Sequence, residues 1–185
     1  MLSGVDFSHW QPSEMDVHIS DYDFLIHKLT EGKSYTDPLA NSRIKKFAEK
    51  KPMLVYHFLR DTAAVEREAE HFIFALKETG YMHTLGVALD YEVAHVNAAI
   101  AAKWLQIVAS ATGKRPVLYC GDLEEKAVYQ MVRAYDYGLW IARYRKEAPD
   151  HACDFWQHTS KPFDKNIFYG DMSKLLTFIR SEVKA

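Results

Sequence analysis

Two carboxylates, Asp90 and Glu92, close the apolar run Leu85-Gly-Val-Ala-Leu-Asp-Tyr-Glu-Val93. Such a run reads as a short buried strand, and residues two apart on a strand share a face. The two acids therefore project together, roughly 7 Å apart along the backbone at about 3.3 Å per residue. Leu89, Tyr91 and Val93 project the other way. Charge at the end of a buried strand is costly unless it is solvated, paired or used. One use is acid–base work on a glycosidic bond, which needs two carboxyl groups facing one substrate. The ordinary alternatives are solvation at the strand end or pairing with Lys28 or Arg143.

Placing that pair requires the rest of the chain, where apolar runs alternate with amphipathic helical patterns. Strands are expected at Leu2–Phe7, Phe24–Leu29, Met53–Phe58, Leu85–Glu92, Pro116–Cys120, Leu139–Ala142 and Asp154–Gln157. Pro12 breaks any continuation after Ser8–Gln11. Helices are expected at Leu39–Lys50, from Thr62 to about Glu78, and at Asn97–Thr112, Leu123–Arg133 and Ser173–Arg180. Strands alternating with helices argue an α/β fold with a mainly parallel sheet. A full (β/α)8 barrel takes about 250 residues, so 185 residues fit an irregular, abbreviated (β/α) TIM-like barrel in one domain, residues 1–185. Asp6, Lys28–Glu31, Tyr56, His57, Asp90, Glu92, Tyr119, Trp140, Trp156 and Gln157 all fall at or near C-terminal strand ends, the face on which such barrels carry their chemistry.

Composition removes several function classes. The net charge is −2 with acids and bases mixed along the chain, unlike the basic footprint of a nucleic-acid binder. Cys120 and Cys153 form no CxxC and are expected as thiols, and the nine histidines form no HExxH spacing, so no metal and no cofactor is implied. No apolar run reaches 18 residues, so no membrane insertion is expected. The start, Met1-Leu-Ser-Gly-Val-Asp6, lacks a basic segment followed by an apolar core. No signal peptide is expected, and action on a cell wall would need release or export by another route. A monomer is expected.

Ordered motifs run through nearly the whole chain: Gly4-Val-Asp-Phe-Ser-His-Trp-Gln11, His27-Lys-Leu-Thr-Glu-Gly-Lys-Ser-Tyr-Thr-Asp-Pro38, Val55-Tyr-His-Phe58, Leu89-Asp-Tyr-Glu92, Pro116-Val-Leu-Tyr119, Leu139-Trp-Ile-Ala-Arg-Tyr144, Phe155-Trp-Gln-His-Thr-Ser160 and Gly170-Asp-Met-Ser173. In that order they resemble glycoside hydrolase family 25, the Chalaropsis-type lysozymes, the last segment being set against the family's late V-D-x-N. Leu29, Leu54-Val55, His158 and Ser173 depart from the family pattern, and none of them touches the carboxylates. The resemblance implies a flattened barrel and a muramidase that cleaves the β-1,4 bond between N-acetylmuramic acid and N-acetylglucosamine. Its partner is then the glycan strand of peptidoglycan.

On that reading Glu92 is the general acid, a role that calls for partial burial and a negative neighbour to keep its proton on. Asp90 supplies the neighbour, and either attacks the anomeric carbon or orients the substrate's own 2-acetamido group. The resemblance also places Asp6 and Asp171 in the site, since closure brings the first and last strands together. For Asp171, capping the helix from Ser173 is the rival role. Tyr56 is set to hydrogen-bond a developing charge or the acetamido group. Trp10, Tyr119, Trp140 and Trp156 are candidates to stack on sugar faces, and Gln157 to bind an acetamido or hydroxyl group. His57 orients neighbours. The competing functions are a chitinase-like N-acetylhexosaminidase and a catalytically silent cell-wall sugar-binding module.

Overall fold

The computed structural model describes residues 1–11, 18–92, 97–121, 125–149 and 152–180. The expected break at Pro12, the residue Val93 that follows the expected strand and the helix start at Leu123 lie outside the described residues. Nine strands form among the described residues: β1 (Leu2–Phe7), β2 (Phe24–Glu31), β3 (Tyr35–Thr36), β4 (Met53–Phe58), β5 (Leu85–Asp90), β6 (Val117–Gly121), β7 (Gly138–Ala142), β8 (Phe155–Thr159) and β9 (Asp164–Phe168). Their order is β1-β9-β8-β7-β6-β5-β4-β2-β3, and β1 also pairs with β2. Eight strands thus close into a barrel, with β3 folded back on β2 as a short antiparallel hairpin. Neighbours from β1 through β2, β4, β5, β6, β7 and β8 are parallel. The closing strand β9 runs antiparallel to both β8 and β1.

Five α-helices lie among the described residues: α1 (Ala40–Phe47), α2 (Val65–Glu78), α3 (Ala98–Thr112), α4 (Glu125–Ala134) and α5 (Met172–Arg180). Local chemistry sets the ends of α3. Asn97 Oδ1 accepts from the N–H groups of Ala99 and Ile100, satisfying donors that the first turn leaves open. Gly113 ends the helix at φ 71°, a conformation that costs glycine little. No described helix separates β7 from β8, and a turn alone joins β8 to β9, so the barrel is abbreviated on that side.

The short strand β3 and the whole of β9 are additions to the elements expected from sequence. Asp164-Lys-Asn-Ile-Phe168 lacks the apolar alternation of a half-buried strand, because its first half carries polar groups into the barrel mouth. A bulge also interrupts β2: Lys28 pairs with Tyr56 while Thr30 pairs with His57. The extra residue, Leu29, is fully buried in the outer core, and Lys28 keeps its inward aim.

The two-residue period of the strands separates two cores. One lies between the barrel wall and the helices and includes Leu25, Val55, Phe72, Leu89 and Trp104. The other fills the barrel with Phe24, Ile26, Leu54, Ala88, Val117, Phe155 and Phe168, with Leu175, Phe178 and Ile179 of α5 packed against them. Small residues make room for these large ones. A Cβ at Gly4 would overlap the Phe24 ring, and one at Gly138 would meet Phe178 at 2.5 Å.

Gly4→Ala is therefore expected to destabilise the fold by about 1–3 kcal/mol through overpacking. Gly121→Ala, whose Cβ would meet no described residue within 4 Å, should stay within about 0.5 kcal/mol. Urea unfolding of the two variants beside the parent measures both.

Candidate active site

Inward-facing residues change character along the strands. Near the N-terminal ends they are apolar, and at the opposite end they become Asp6 on β1, Lys28 on β2, Tyr56 on β4, Asp90 on β5, Tyr119 on β6, Trp140 on β7 and Gln157 on β8. These seven, with Ser8, Trp10, Phe58, Glu92, Tyr144 and Asp164, line one cleft of about 240 Å³. The strand alternation expected at residues 89–92 holds: Asp90 and Glu92 face the cleft while Leu89 and Tyr91 are buried in the outer core.

Asp6 anchors a chain of hydrogen bonds. Its Oδ2 accepts from Gln157 Nε2 at 2.8 Å and from Asn166 Nδ2 at 2.7 Å. Gln157 Oε1 in turn accepts from the Tyr119 and Tyr144 hydroxyls at 2.9 and 2.6 Å. Asn166 Oδ1 accepts from Trp140 Nε1 at 2.8 Å. The Trp140 ring packs on Tyr119 at 4.4 Å between centroids and on Tyr56 at 6.4 Å. Gln157, expected as a substrate ligand, thus has its amide committed to Asp6 and two tyrosines. It holds the site in shape.

Burial governs the electrostatics. Asp6 is pushed up to about 8, first by burial and then by the neighbouring negative charge of Asp164. Asp164 rises to about 6 through burial and Glu92. Asp90 is held well above the usual carboxylate range by burial, with Glu92 and Asp6 adding to it and Lys28 opposing. Its Oδ1 is buried with no hydrogen-bond partner among the described residues. Glu92 itself is exposed at the mouth. The burial expected of Glu92 therefore falls on Asp90 instead, because β5 ends at Asp90 and Glu92 lies beyond the sheet. Lys28 pairs with Glu31, so neither cleft acid is neutralised by it directly. Burial and the Asp90 charge keep the Tyr56 hydroxyl a phenol, able to donate.

Two expected site residues lie elsewhere. Asp171 is not in the cleft: its Oδ1 accepts from Lys174 N at 2.8 Å at the start of α5, the capping role. The reason is the antiparallel sense of β9. Asp164 pairs with Asp6 at the mouth, whereas Phe168 pairs with Leu2 at the far end, and Asp171 follows Phe168. The fourth carboxylate is Asp164. The signal was in the sequence, since Asp164-Lys-Asn166 carries D-x-N intact where Asp171-Met-Ser173 does not. Trp156 is the second correction. It alternates with the inward residues Phe155 and Gln157, turns out of the barrel, and donates from Nε1 to Arg143 O at 2.8 Å. His57 also faces outward, and its Nε2 meets Glu68 Oε2 at 2.9 Å. Besides Asp164, the cleft residues Ser8, Phe58 and Tyr144 and the Asp6 partner Asn166 are site members that sequence reasoning did not single out.

The family model described as glycosyl hydrolases family 25 matches residues 5–167. The chain belongs to that family. It is a glycoside hydrolase, and the carboxylate-lined mouth belongs to a family 25 barrel. YegX of Escherichia coli strain K12, described as uncharacterized, is 25% identical over 205 residues, 96% of this chain and 73% of YegX. The lysozyme of Streptococcus phage Cp-1 is 30% identical over 164 residues, 77% of this chain but 45% of the lysozyme. This chain thus spans less than half of that relative's length. Among solved structures, the catalytic domain of endolysin ply40 from bacteriophage P40 of Listeria monocytogenes superposes with a TM-score of 0.80 at 23% identity, covering 98% of each chain. The bacterial lysozyme from Streptomyces coelicolor gives 0.76 at 20% identity, covering 97% of each. At these identities the likeness is one of fold.

The raised carboxyls have a consequence for stability. Both Asp6 and Asp164 start from an ordinary value of 3.8 and rise in the fold to about 8 and about 6. The folded state therefore holds protons that the unfolded chain has released, and stability falls as pH rises from about 4 to about 8. Asp6→Asn should flatten the upper part of that fall, which denaturant midpoints measured across the pH range will read.

Proposed function

We propose that this chain is a muramidase in which Glu92 is the general acid and Asp90 steers the substrate's acetamido group. The substrate is the glycan strand of peptidoglycan, and the bond cut is the β-1,4 link from N-acetylmuramic acid to N-acetylglucosamine. The observation that carries the assignment of roles is the contrast between the two acids. Glu92 stands at the open mouth, able to reach a leaving oxygen, while Asp90 presents a buried oxygen with no donor among the described residues. An acetamido N–H is a donor of the right kind for that oxygen.

In the first step Glu92 gives its proton to the glycosidic oxygen as the bond to the anomeric carbon breaks. The acetamido carbonyl oxygen bonds to that carbon from the opposite face, and Asp90 holds the N–H. Positive charge developing on the acetamido group favours the anionic form of Asp90, which burial disfavours in the empty cleft. Water then attacks the anomeric carbon, Glu92 takes back a proton, and the ring formed with the acetamido group opens. A glycan laid over the mouth removes Glu92 from water, the setting a proton donor requires. Asp6 and Asp164 shape the field around both acids, and Tyr56 offers its hydroxyl to the acetamido oxygen. Trp10 and the Tyr119–Trp140 pair supply sugar-facing surfaces. The site of action is the cell wall.

Glu92→Gln should clear a peptidoglycan suspension about 10²–10⁴ times more slowly than the parent. Equal clearing by the two proteins would remove Glu92 from the acid role. Cleavage of chitin with peptidoglycan untouched would favour the hexosaminidase reading, and binding without cleavage by the parent would favour the sugar-binding module. Acetamido participation inverts the anomeric carbon twice, so the first product seen by NMR should be the β anomer. An α product would exclude it.

A further inference from the structure

The enclosed cleft, about 240 Å³, is smaller than the roughly 300–1,000 Å³ typical of pockets that enclose a whole small ligand. A polymer cut there must lie mostly outside it, and its affinity must come from surfaces that continue the cleft. One such surface leaves the mouth beside β1 and β2. Trp10 lines the cleft yet is 78% exposed. Its ring lies against His9 at 4.5 Å between centroids, and His9 lies against Tyr35 of β3 at 5.8 Å. Tyr35 is 39% exposed, and its hydroxyl meets His9 Nδ1 at 3.1 Å. The three rings form a continuous ledge running outward from the catalytic mouth.

The ledge is held from beneath by buried charged side chains. Asp37 accepts from His9 N at 2.8 Å, lies 3.0 Å from His9 Nδ1, and accepts from Leu39 N at 2.9 Å. Arg43 donates to Ser8 O at 2.8 Å and to Gln11 O at 2.9 Å, gripping the backbone on both sides of His9-Trp10. Both side chains are buried. A contiguous exposed aromatic surface of this kind marks an interaction site rather than a scattered exposed side chain, and holding its rings in advance lowers the ordering cost of binding.

We infer that His9, Trp10 and Tyr35 form an outer subsite that stacks on a sugar ring of the glycan strand beyond the bond being cut, with Asp37 and Arg43 as its positioning residues. This rests on the peptidoglycan reading above. Pyranose rings carry an apolar C–H face that suits an aromatic plane, and neither Tyr35 nor His9 belongs to the enclosed cleft. The subsite therefore serves long strands and adds little for short fragments.

The test separates binding from hydrolysis by using Glu92→Gln protein throughout and measuring Kd for long purified glycan strands and for short fragments of the same glycan. Adding Tyr35→Ala should weaken binding to long strands about tenfold, the loss of one stacking contact, and erase that much of the preference for length. Adding Tyr35→Phe, which keeps the ring and loses only the hydroxyl, should stay within about twofold of the background. Unchanged affinity with Tyr35→Ala overturns the subsite. So does equal weakening by Tyr35→Phe, which would mean that the hydroxyl's contact with His9 matters and not stacking. Clearing by the unmodified chain reports on the hydrolysis reading alone. Tyr35-dependent binding without clearing would retire that reading and keep the subsite.

Discussion

The Asp6 carboxyl sits beside Asp164 of the adjoining strand, in a place from which water has been largely removed. A charge there is costly, and two amide donors on one oxygen do not offset that cost completely, since Asp6 is still pushed up to about 8 by burial and by Asp164. Desolvation wins over hydrogen bonding. The remaining tension is what ties the mouth together: Gln157 and Asn166 must stand where they do to hold Asp6, and Tyr119, Tyr144 and Trp140 must stand where they do to hold those amides. Five strands are thereby fixed relative to one another at the end where chemistry happens. A half-satisfied network of this kind would be worse than an apolar plug, so its members act as a unit.

A second buried polar group does comparable work from outside the barrel. Glu68 of α2 is fully buried and accepts from Arg60 N at 3.0 Å and Asp61 N at 2.7 Å, while His57 donates to it from the back of β4. Burial lowers the His57 pKa despite Glu68, which favours a neutral ring whose Nε2 carries the proton. Its other nitrogen faces the Thr30 hydroxyl at 2.8 Å. The loop after β4 is thus tied to α2 and to the bulged part of β2. Because neighbouring residues on a strand face opposite ways, fixing His57 on the outer face fixes Tyr56 and Phe58 on the inner one. Packing behind the wall in this way sets geometry in front of it.

Much of this was legible from residue order. Apolar runs ending in polar residues marked seven of the eight barrel strands, and the C-terminal-end rule collected Asp6, Tyr56, Asp90, Tyr119, Trp140 and Gln157 on one face, where the cleft lies. The exception was β9. Its inward positions are Asp164 and Asn166 at the mouth, so its first half looks like a loop to any reading based on hydrophobic alternation. Missing that strand moved the fourth carboxylate seven residues along, onto Asp171, a helix cap. Trp156 was misplaced for a simpler reason, since strand ends bring both faces to the mouth in sequence while only alternate residues turn inward.

The sequence by itself determined the α/β barrel, the paired acids Asp90 and Glu92 on one face, and the family, because these depend on local periodicity and on motif order. Only the tertiary structure decided the sense of the closing strand, and with it the choice of Asp164 over Asp171. It also decided which of the two paired acids is buried, and what Gln157 spends its amide on. Those outcomes depend on desolvation and on partners contributed by distant segments, Asp6 with Gln157 and Asn166 above all. A residue's chemical type is written in the chain, but the water it loses and the donor it meets exist only once the barrel has closed.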